Sequence, residues 1–504
     1  MQNYGVKIVG KKEEKILIEK TSNIGYNCFI KLLESIMIDK YLPQIIETIS
    51  KAVQIKTVLD TPVEGGPFGQ GNKDCLEYVL SVAKDLGFRT VNLDGYCGYA
   101  EIGEGEEIVG IIGHLDVVPE GDGWKVPPYS GQLVDDEIWG RGTIDDKGPI
   151  IISLFAVKAL MDEGFKFDKR VRIIFGCNEE TGSKCMEHYL EVGENISYGV
   201  TPDSNFPVIF AERTINNIFL SGSGESRGKV VLDKFDGGIV INAVPDVCEF
   251  TLKTKGAFGG AKLTKAALEI CDNLSKMEGI TYTMKTYSVL GLFGKAKFVV
   301  RGKAAHGSVP HHGVNAVSHA LVAMHGVIDD DFVEFYNRTI GTDYNGQKLG
   351  CYAEDEYGKI AVNVGLCHYE NGKFEVRINS RLPFTTDTPT MVEQIKNTVG
   401  ENVVVDLKST ADGFKMDKDS KMIQALMKAY SEVTGDTESQ PICSAGGTYA
   451  REFKNCVAFG PEMNGYGEMI IHEPNERISL KAIRAIFDIY FKAYRDLCLL
   501  EKDF

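Results

Sequence analysis

Residues 106–149 read EEIVGIIGHLDVVPEGDGWKVPPYSGQLVDDEIWGRGTIDDKGP and decide the fold of this chain. They open with an apolar run, residues 108–112, that predicts a buried strand. His114 and Asp116 follow directly, and Asp145 comes later in the same stretch. Polar side chains just beyond the carboxyl end of a buried strand are typical of active sites in open α/β sheets. The stretch therefore predicts an α/β fold with a functional site at this strand end.

Further apolar runs also lead into polar groups. Residues 171–176 precede Glu179 and Glu180, residues 198–200 precede Asp203, and residues 469–471 precede His472. Histidines and carboxylates gathered at strand ends are the ligands expected for a pair of divalent ions with open positions. The candidate ligands are His114, Asp145, Glu180, Asp203 and His472. Their charges leave one positive charge on two divalent ions, which a bridging hydroxide would neutralise.

Two pairs of neighbouring residues indicate how such a site works. His114 and Asp116 are two positions apart, so an extended backbone places both side chains on one face. Asp116 can therefore orient the imidazole by accepting its second N–H. Glu179 and Glu180 are adjacent, so one can bind a metal while the other stays free as a base. Alone, a His-x-Asp turn or a Glu-Glu pair is more often a solvated loop, and the recurrence at strand ends favours the metal site.

Six motifs occur in the order GHLDVVP, GRGTIDDKGP, NEETG, TPD, RGKAAHGSVP and HEPNER. In this order they resemble the di-zinc metallopeptidase family of aminoacylase, carboxypeptidase G and succinyl-diaminopimelate desuccinylase, and most closely its PepV-type dipeptidases. The resemblance covers residues 41–504. It implies a mixed-sheet zinc-exopeptidase catalytic domain with helices on both faces, together with an inserted α+β lid domain.

The resemblance also divides the chain. It implies a catalytic domain formed by residues 41–212 and 413–504 and a lid formed by residues 213–412. Residues 1–40 match nothing in the family pattern and receive no function. Apolar spacing predicts that the first catalytic helix starts near Tyr41, and that the last spans residues 479–499.

The metal roles follow from the resemblance. Asp145 would bridge two ions, His114 and Asp203 would complete one site, and Glu180 and His472 would complete the other. The peptide bond between Asp145 and Asp146 would be cis. Zinc suits these ligands, and manganese or cobalt could occupy the same set.

The resemblance also implies catalytic roles. Glu179 would be the general base and acid, taking a proton from water and returning it to the leaving amine. Asp116 would orient His114. His306, in the lid, would stabilise the tetrahedral oxyanion after domain closure.

Substrate-binding roles are implied for four more residues. Arg381 would grip the free C-terminal carboxylate through its planar donor fork, with Asn242 beside it. Gly446 and Gly447 would line the pocket, because glycine lets backbone amides approach a ligand closely.

The composition of the chain limits the number of domains, the binding partners and the cellular compartment that we expect. The chain has 504 residues, which is too long for one ordinary core and predicts two or three domains. Its net charge of −16 argues against binding to nucleic acid or to an anionic membrane. The 12 cysteines form no CxxC pair, which favours free thiols in the cytoplasm. The resemblance to the PepV-type dipeptidases, in which an extended lid takes the place of a second subunit, implies a monomer.

The leading hypothesis is a metal-dependent dipeptidase acting on dipeptides or very short peptides through a metal-bridging hydroxide. An N-acyl amino acid deacylase or a carnosinase-like hydrolase would share every metal ligand and differ only in pocket shape. A non-catalytic peptide-binding relative would be free to lose the base, whereas this chain retains Glu179.

Overall fold

The computed structural model describes residues 23–256, 259–289 and 293–501. Much of the predicted extension, residues 1–22, lies outside these described residues. The expected start of the first helix near Tyr41 is wrong, because the helix spans Asn23–Gln54 and includes Pro43. The described chain forms two compact units. The first contains the described residues up to Ile209 together with residues 417–441 and 448–501, and the second contains residues 210–416 and 442–447.

The first unit combines helices with a mixed sheet. Its helices are Asn23–Gln54, Gln70–Asp85, Lys147–Asp162, Lys184–Val192, Lys421–Thr434 and Leu480–Cys498. Its main strands, in sheet order, are Arg89–Leu93, Cys97–Ile102, Arg170–Gly176, Ile108–His114, Tyr198–Thr201 and Cys456–Ala458. A smaller sheet contains Gln132–Val134, Glu137–Trp139 and Arg477–Ser479, and Ser204–Asn205 pairs with Pro461–Glu462. None of the described helices is both long and apolar enough to cross a bilayer.

The last four of these six strands run parallel to one another. Ile108–His114 lies between Arg170–Gly176 and Tyr198–Thr201, and Cys456–Ala458 pairs with the latter. Every residue of Ile108–His114 is buried, as expected for a strand covered on both faces. Because parallel strands end at the same edge, the residues that follow all four strands are brought to one edge of the sheet.

The helix Lys147–Asp162 starts directly after Asp146 and is almost entirely buried. Its apolar side chains on all sides explain this burial. As predicted, the peptide bond between Asp145 and Asp146 is cis. The chain therefore passes from a polar loop into a core helix at the point where the candidate ligand Asp145 lies.

One predicted strand is wrong. Residues 469–471 form no strand, and His472 lies in an irregular loop between Pro461–Glu462 and Arg477–Ser479. The backbone of this loop has positive φ at Gly465, Gly467 and His472. Such left-handed conformations interrupt an extended strand, so the apolar run before His472 was misleading.

The second unit is built on an antiparallel sheet. Its strands, in order, are Thr281–Val289, Phe293–Arg301, Val247–Thr254, Val230–Gly237, Ala361–Glu370, Lys373–Leu382, Thr214–Ser223 and Val403–Ala411. The helices of this unit are Gly260–Ser275, Ala316–Met324, Asp331–Thr339 and Thr388–Val399. Minor pairs join Ser226–Arg227 to Asp329–Asp330 and Glu354–Asp355 to Gly358–Lys359, while Ile209–Glu212 pairs with Phe414–Lys415 and Ile442–Ser444. A buried apolar cluster between this sheet and the helices forms the core of the unit.

A buried ion pair holds the loop that carries Asp145. Oε2 of Glu476 accepts a hydrogen bond from Nη1 of Arg141 at 2.8 Å, and both residues are at most 1% exposed. Its other oxygen, Oε1, accepts the backbone N–H groups of Gly142, Ile144 and Asp145 at 3.0, 2.9 and 3.2 Å. Glu476 therefore fixes the backbone immediately before the cis bond.

We expect Glu476→Ala to lower the free energy of unfolding by about 3–5 kcal/mol, because it leaves the Arg141 cation buried without its partner. Chemical denaturation measures this loss. Glu47→Ala is the matched control, since Glu47 pairs with Lys51 on the surface and should change stability little. Equal stability of the two variants would contradict the role given to Glu476.

Candidate metal centre

The sheet edge of the first unit gathers the polar residues predicted from the sequence. His114 ends one parallel strand, while Glu179, Glu180 and Asp203 follow two others. Asp145 and His472 reach the same place from loops. Ligand atoms of His114, Asp145 and Glu180 lie within 4.8 Å of one another, and so do those of His114, Glu179 and Asp203.

The two carboxylate oxygens of Asp145 face different histidines. Oδ1 lies 3.0 Å from Nε2 of His114, and Oδ2 lies 2.9 Å from Nε2 of His472. The Nε2 atom of each imidazole also faces a second carboxylate: Asp203 Oδ2 is 3.6 Å from that of His114, and Glu180 Oε2 is 3.3 Å from that of His472. The arrangement is therefore two sets of donor atoms that share Asp145.

The donor atoms fit cations. Among the described residues, the buried atom Oε1 of Glu180 makes no hydrogen bond. Buried polar atoms without partners are rare and require an explanation such as an ion. Imidazole nitrogens and carboxylate oxygens are suitable ligands for zinc, manganese or cobalt. The residues present therefore fit a pair of divalent ions.

Asp116 supports His114 differently from the prediction. Nδ1 of His114 lies 2.9 Å from the backbone carbonyl of Asp116 and 3.5 Å from its carboxylate. Since a carbonyl oxygen only accepts, this contact keeps a proton on Nδ1 and leaves Nε2 as the ring nitrogen that an ion could bind. The Asp116 carboxylate instead accepts the backbone N–H groups of Glu179 and Glu180 at 3.0 and 3.1 Å. Asp116 therefore orients both the histidine and the glutamate pair.

Asp146 contacts His114, and the sequence analysis gave this aspartate no role in the site. Its Oδ2 accepts the backbone N–H of His114 at 3.1 Å. A Cβ atom on Gly113 would lie only 2.3 Å from this oxygen, so the strand needs glycine there. Burial and the negative charge of Asp203 raise the pKa of Asp146.

The pKa shifts reflect crowded negative charge. Burial raises the pKa of Asp203 to about 7 and, together with the charge of Asp203, raises that of Glu179 well above its ordinary value. Hydrogen bonds to Asp145 and Glu180 raise the pKa of His472 to about 11. Burial opposes the same shift at His114, but the charge of Asp203 and its other carboxylate partners still raise its pKa. Protons and divalent cations therefore compete for the same atoms.

Glu462 is a nearby carboxylate that sequence reasoning missed. It follows the fourth parallel strand, Cys456–Ala458, and its own short strand pairs with Ser204–Asn205. Burial and the negative charge of Asp145 raise its pKa to about 7, while His472 opposes this shift. Glu462 lies in none of the six motifs, so no pattern in the sequence pointed to it.

In the second unit, Asn242 and His306 are neighbours. The backbone carbonyl of Asn242 accepts the N–H of Gly307 at 2.7 Å, and Ala243 forms a bridge with His306. Nδ1 of His306 lies 2.6 Å from Oγ of Ser308. The structure therefore brings together two residues that are far apart in the chain.

Arg381, Gly446 and Gly447 also belong to the second unit. Arg381 is buried in Lys373–Leu382, where its Nε donates to Oδ1 of Asn379 at 3.2 Å. Gly446 donates its N–H to Oγ of Ser444 at 2.9 Å. Tyr449, which the sequence left unassigned, belongs to the first unit and packs edge-on against the ring of His114.

The amino-acid sequence of this chain matches a known protein family. The model of "Peptidase family M20/M25/M40" matches residues 110–496. The Staphylococcus haemolyticus protein "Putative dipeptidase SH1171" is 32% identical over 477 residues, covering 92% of this chain and 98% of that protein. "Putative dipeptidase YtjP" of Bacillus subtilis is 31% identical over 466 residues, covering 90% and 97%.

The solved structure of human carnosine dipeptidase 1 has the same fold. It is 15% identical and superimposes with a TM-score of 0.56, covering 93% of this chain and 99% of that chain. The predicted mixed α/β class is therefore confirmed. Since the family match spans most of the sequence and the relatives align along nearly all of it, this chain belongs to peptidase family M20/M25/M40 and is a metallopeptidase.

Proposed function

We propose that this chain hydrolyses the peptide bond of dipeptides or very short peptides, using a pair of divalent ions in its first unit. The observation that carries this proposal is the Asp145 carboxylate, whose oxygens lie 3.0 and 2.9 Å from two different imidazoles. The names of the two bacterial relatives, both called dipeptidases, agree with it.

Five side chains would hold the two ions, and Asp145 would contribute to both sets of ligands. His114 and Asp203 would hold one ion, and Glu180 and His472 would hold the other. When bound, such a pair activates a water molecule and polarises the scissile carbonyl. Zinc is the metal that we expect, with manganese or cobalt as substitutes.

Glu179 moves the proton in this proposal. Its backbone N–H is bound by Asp116, and its carboxylate lies within 4.8 Å of ligand atoms of His114 and Asp203. Its carboxylate would take a proton from water, hold it, and pass it to the leaving amine. Burial raises the pKa of Glu179, which favours holding that proton between the two transfers.

We assign substrate binding to residues of the second unit, which would act as the lid. Arg381 and Asn242 would bind the terminal carboxylate, and His306 would stabilise the oxyanion. Gly446 and Gly447 would line the pocket. The boundaries predicted from the sequence, with residues 213–412 as the lid, stay a prediction.

We also infer a cytoplasmic monomer. The cysteine side chains that the structure describes are free thiols, most of them buried, which suits a reducing compartment. The monomer stays a prediction from the length of the lid.

The purified, metal-loaded protein should hydrolyse Ala-Ala and related dipeptides faster than N-acetyl amino acids, because we expect its pocket to select a free N-terminus. Release of amino acids, followed by chromatography, measures both reactions. Turnover of the acetylated substrates alone would contradict the dipeptidase function and favour a deacylase.

Glu179→Gln should lower kcat for Ala-Ala by about 10²- to 10⁴-fold, since the amide cannot accept the proton. Metal content should stay near that of the unmodified protein. The control is Glu187→Gln, an exposed residue of the helix Lys184–Val192, which should retain full activity. An active Glu179→Gln enzyme would rule out this residue as the base.

Binding of divalent ions to metal-free protein should release protons at neutral pH. The raised pKa values of His114 and His472 mean that both imidazoles are protonated without the ions, and a ligating imidazole must be neutral. Affinity should therefore rise with pH throughout the neutral range and up to about pH 11, the pKa of His472. Calorimetry in buffers of different ionisation enthalpy counts the protons.

The control for this measurement is His325→Ala, which removes a surface histidine paired with Glu334. It should leave proton release unchanged. Affinity that is independent of pH would contradict the assignment of His114 and His472 as ligands.

A further inference from the structure

Glu462 lies at the same sheet edge as the metal ligands. The four parallel strands end there, and Glu462 follows the last of them, Cys456–Ala458. The backbone around Glu462 is hydrogen-bonded to the segment that follows Asp203. The carbonyl of Gly460 accepts the N–H of Ser204 at 2.7 Å, and the carbonyl of Glu462 accepts the N–H of Phe206 at 2.8 Å. The position of Glu462 is therefore coupled to that of a proposed ligand loop.

The Glu462 carboxylate makes no hydrogen bond or ion pair with any other part of the chain that the structure describes. It is partly buried, and it is close enough to interact with the charges of Asp145 and His472. A carboxylate removed from water in this way normally has a partner. The nearby imidazole of His472 already faces Asp145 and Glu180, which lie 2.9 and 3.3 Å from its Nε2.

Charge balance shows what kind of partner is missing. Two divalent ions bring four positive charges. The ligand carboxylates of Asp145, Glu180 and Asp203 offset three of them, and the hydroxide formed when Glu179 takes a proton from water would offset the fourth. The Glu462 carboxylate adds a further negative charge beside this centre. A neutral substrate group would leave it unpaired, whereas a cationic group would balance it.

We propose that Glu462 binds the α-ammonium group of the substrate and thereby selects peptides with a free N-terminus. This inference rests on the proposed function. In a dipeptide, a single carbon separates the α-nitrogen from the scissile carbonyl, so the receptor for the ammonium must border the metal centre, as Glu462 does. An N-acyl amino acid carries no such cation.

The test compares two substrates that differ only in the ammonium group, Ala-Ala and propionyl-Ala. The metal-loaded protein should prefer Ala-Ala strongly in kcat/KM. Glu462→Gln should lower kcat/KM for Ala-Ala by at least about 30-fold, as expected when one partner of a buried charge pair is removed. It should leave kcat/KM for propionyl-Ala unchanged or higher, so that the preference collapses.

Glu468→Gln is the matched control, because Glu468 is an exposed residue of the loop that follows Pro461–Glu462, and it pairs with Arg477. It should keep the preference for Ala-Ala. Glu462→Asp, which retains the negative charge, should preserve a substantial part of the preference for Ala-Ala over propionyl-Ala. Metal content of each variant is measured in parallel by elemental analysis.

Three outcomes would overturn the inference. They are an unchanged substrate preference in Glu462→Gln, an equal loss with both substrates, and a loss of bound metal. None of them affects the proposed function, which fails only if the unmodified enzyme does not hydrolyse Ala-Ala.

Discussion

The candidate site depends on one constraint: the fold buries several carboxylates close together at one edge of a sheet. Asp145, Glu180 and Asp203 lie beside two imidazoles, and Glu179 lies within the same few ångströms. Burying like charges together is unfavourable unless cations balance them, which is why the carboxyl pKa values of Glu179 and Asp203 are raised. Divalent ions would offset this repulsion, so the same crowding that destabilises the cluster alone favours the binding of cations.

Holding such a cluster requires a stiff backbone around it. Parallel strands fix the starting points of three ligand segments, and buried carboxylates hold the intervening loops through backbone amides. Asp116 binds the amides of Glu179 and Glu180, and Glu476 binds those of the Asp145 loop. These carboxylates provide the support that places ligands accurately. The pair of Arg141 and Glu476 also explains why GRGTIDD carries a basic residue and HEPNER an acidic residue beyond the candidate ligands.

The sequence predicted the parts that depend on local pattern. Apolar runs located the central strands, and the polar residues after them located His114, Glu180 and Asp203. The pattern failed before His472, because an apolar run does not reveal left-handed backbone angles. It also missed what Asp116 and Glu476 bind, since those amides become neighbours only through the tertiary fold. Glu462 has no motif, and only the pairing of its strand with Ser204–Asn205 places it beside the Asp203 loop.

The shared metal ligands cannot by themselves decide the substrate. Peptidases and deacylases would present the same ions to the same carbonyl, so specificity must come from groups that meet the remaining substrate atoms. A dipeptide differs from an N-acyl amino acid by one positive charge close to the reacting bond. A carboxylate such as Glu462 attracts that charge, and it also disfavours neutral acyl groups, because these would leave it desolvated without a partner. One side chain can therefore supply both the attractive and the repulsive part of the selection.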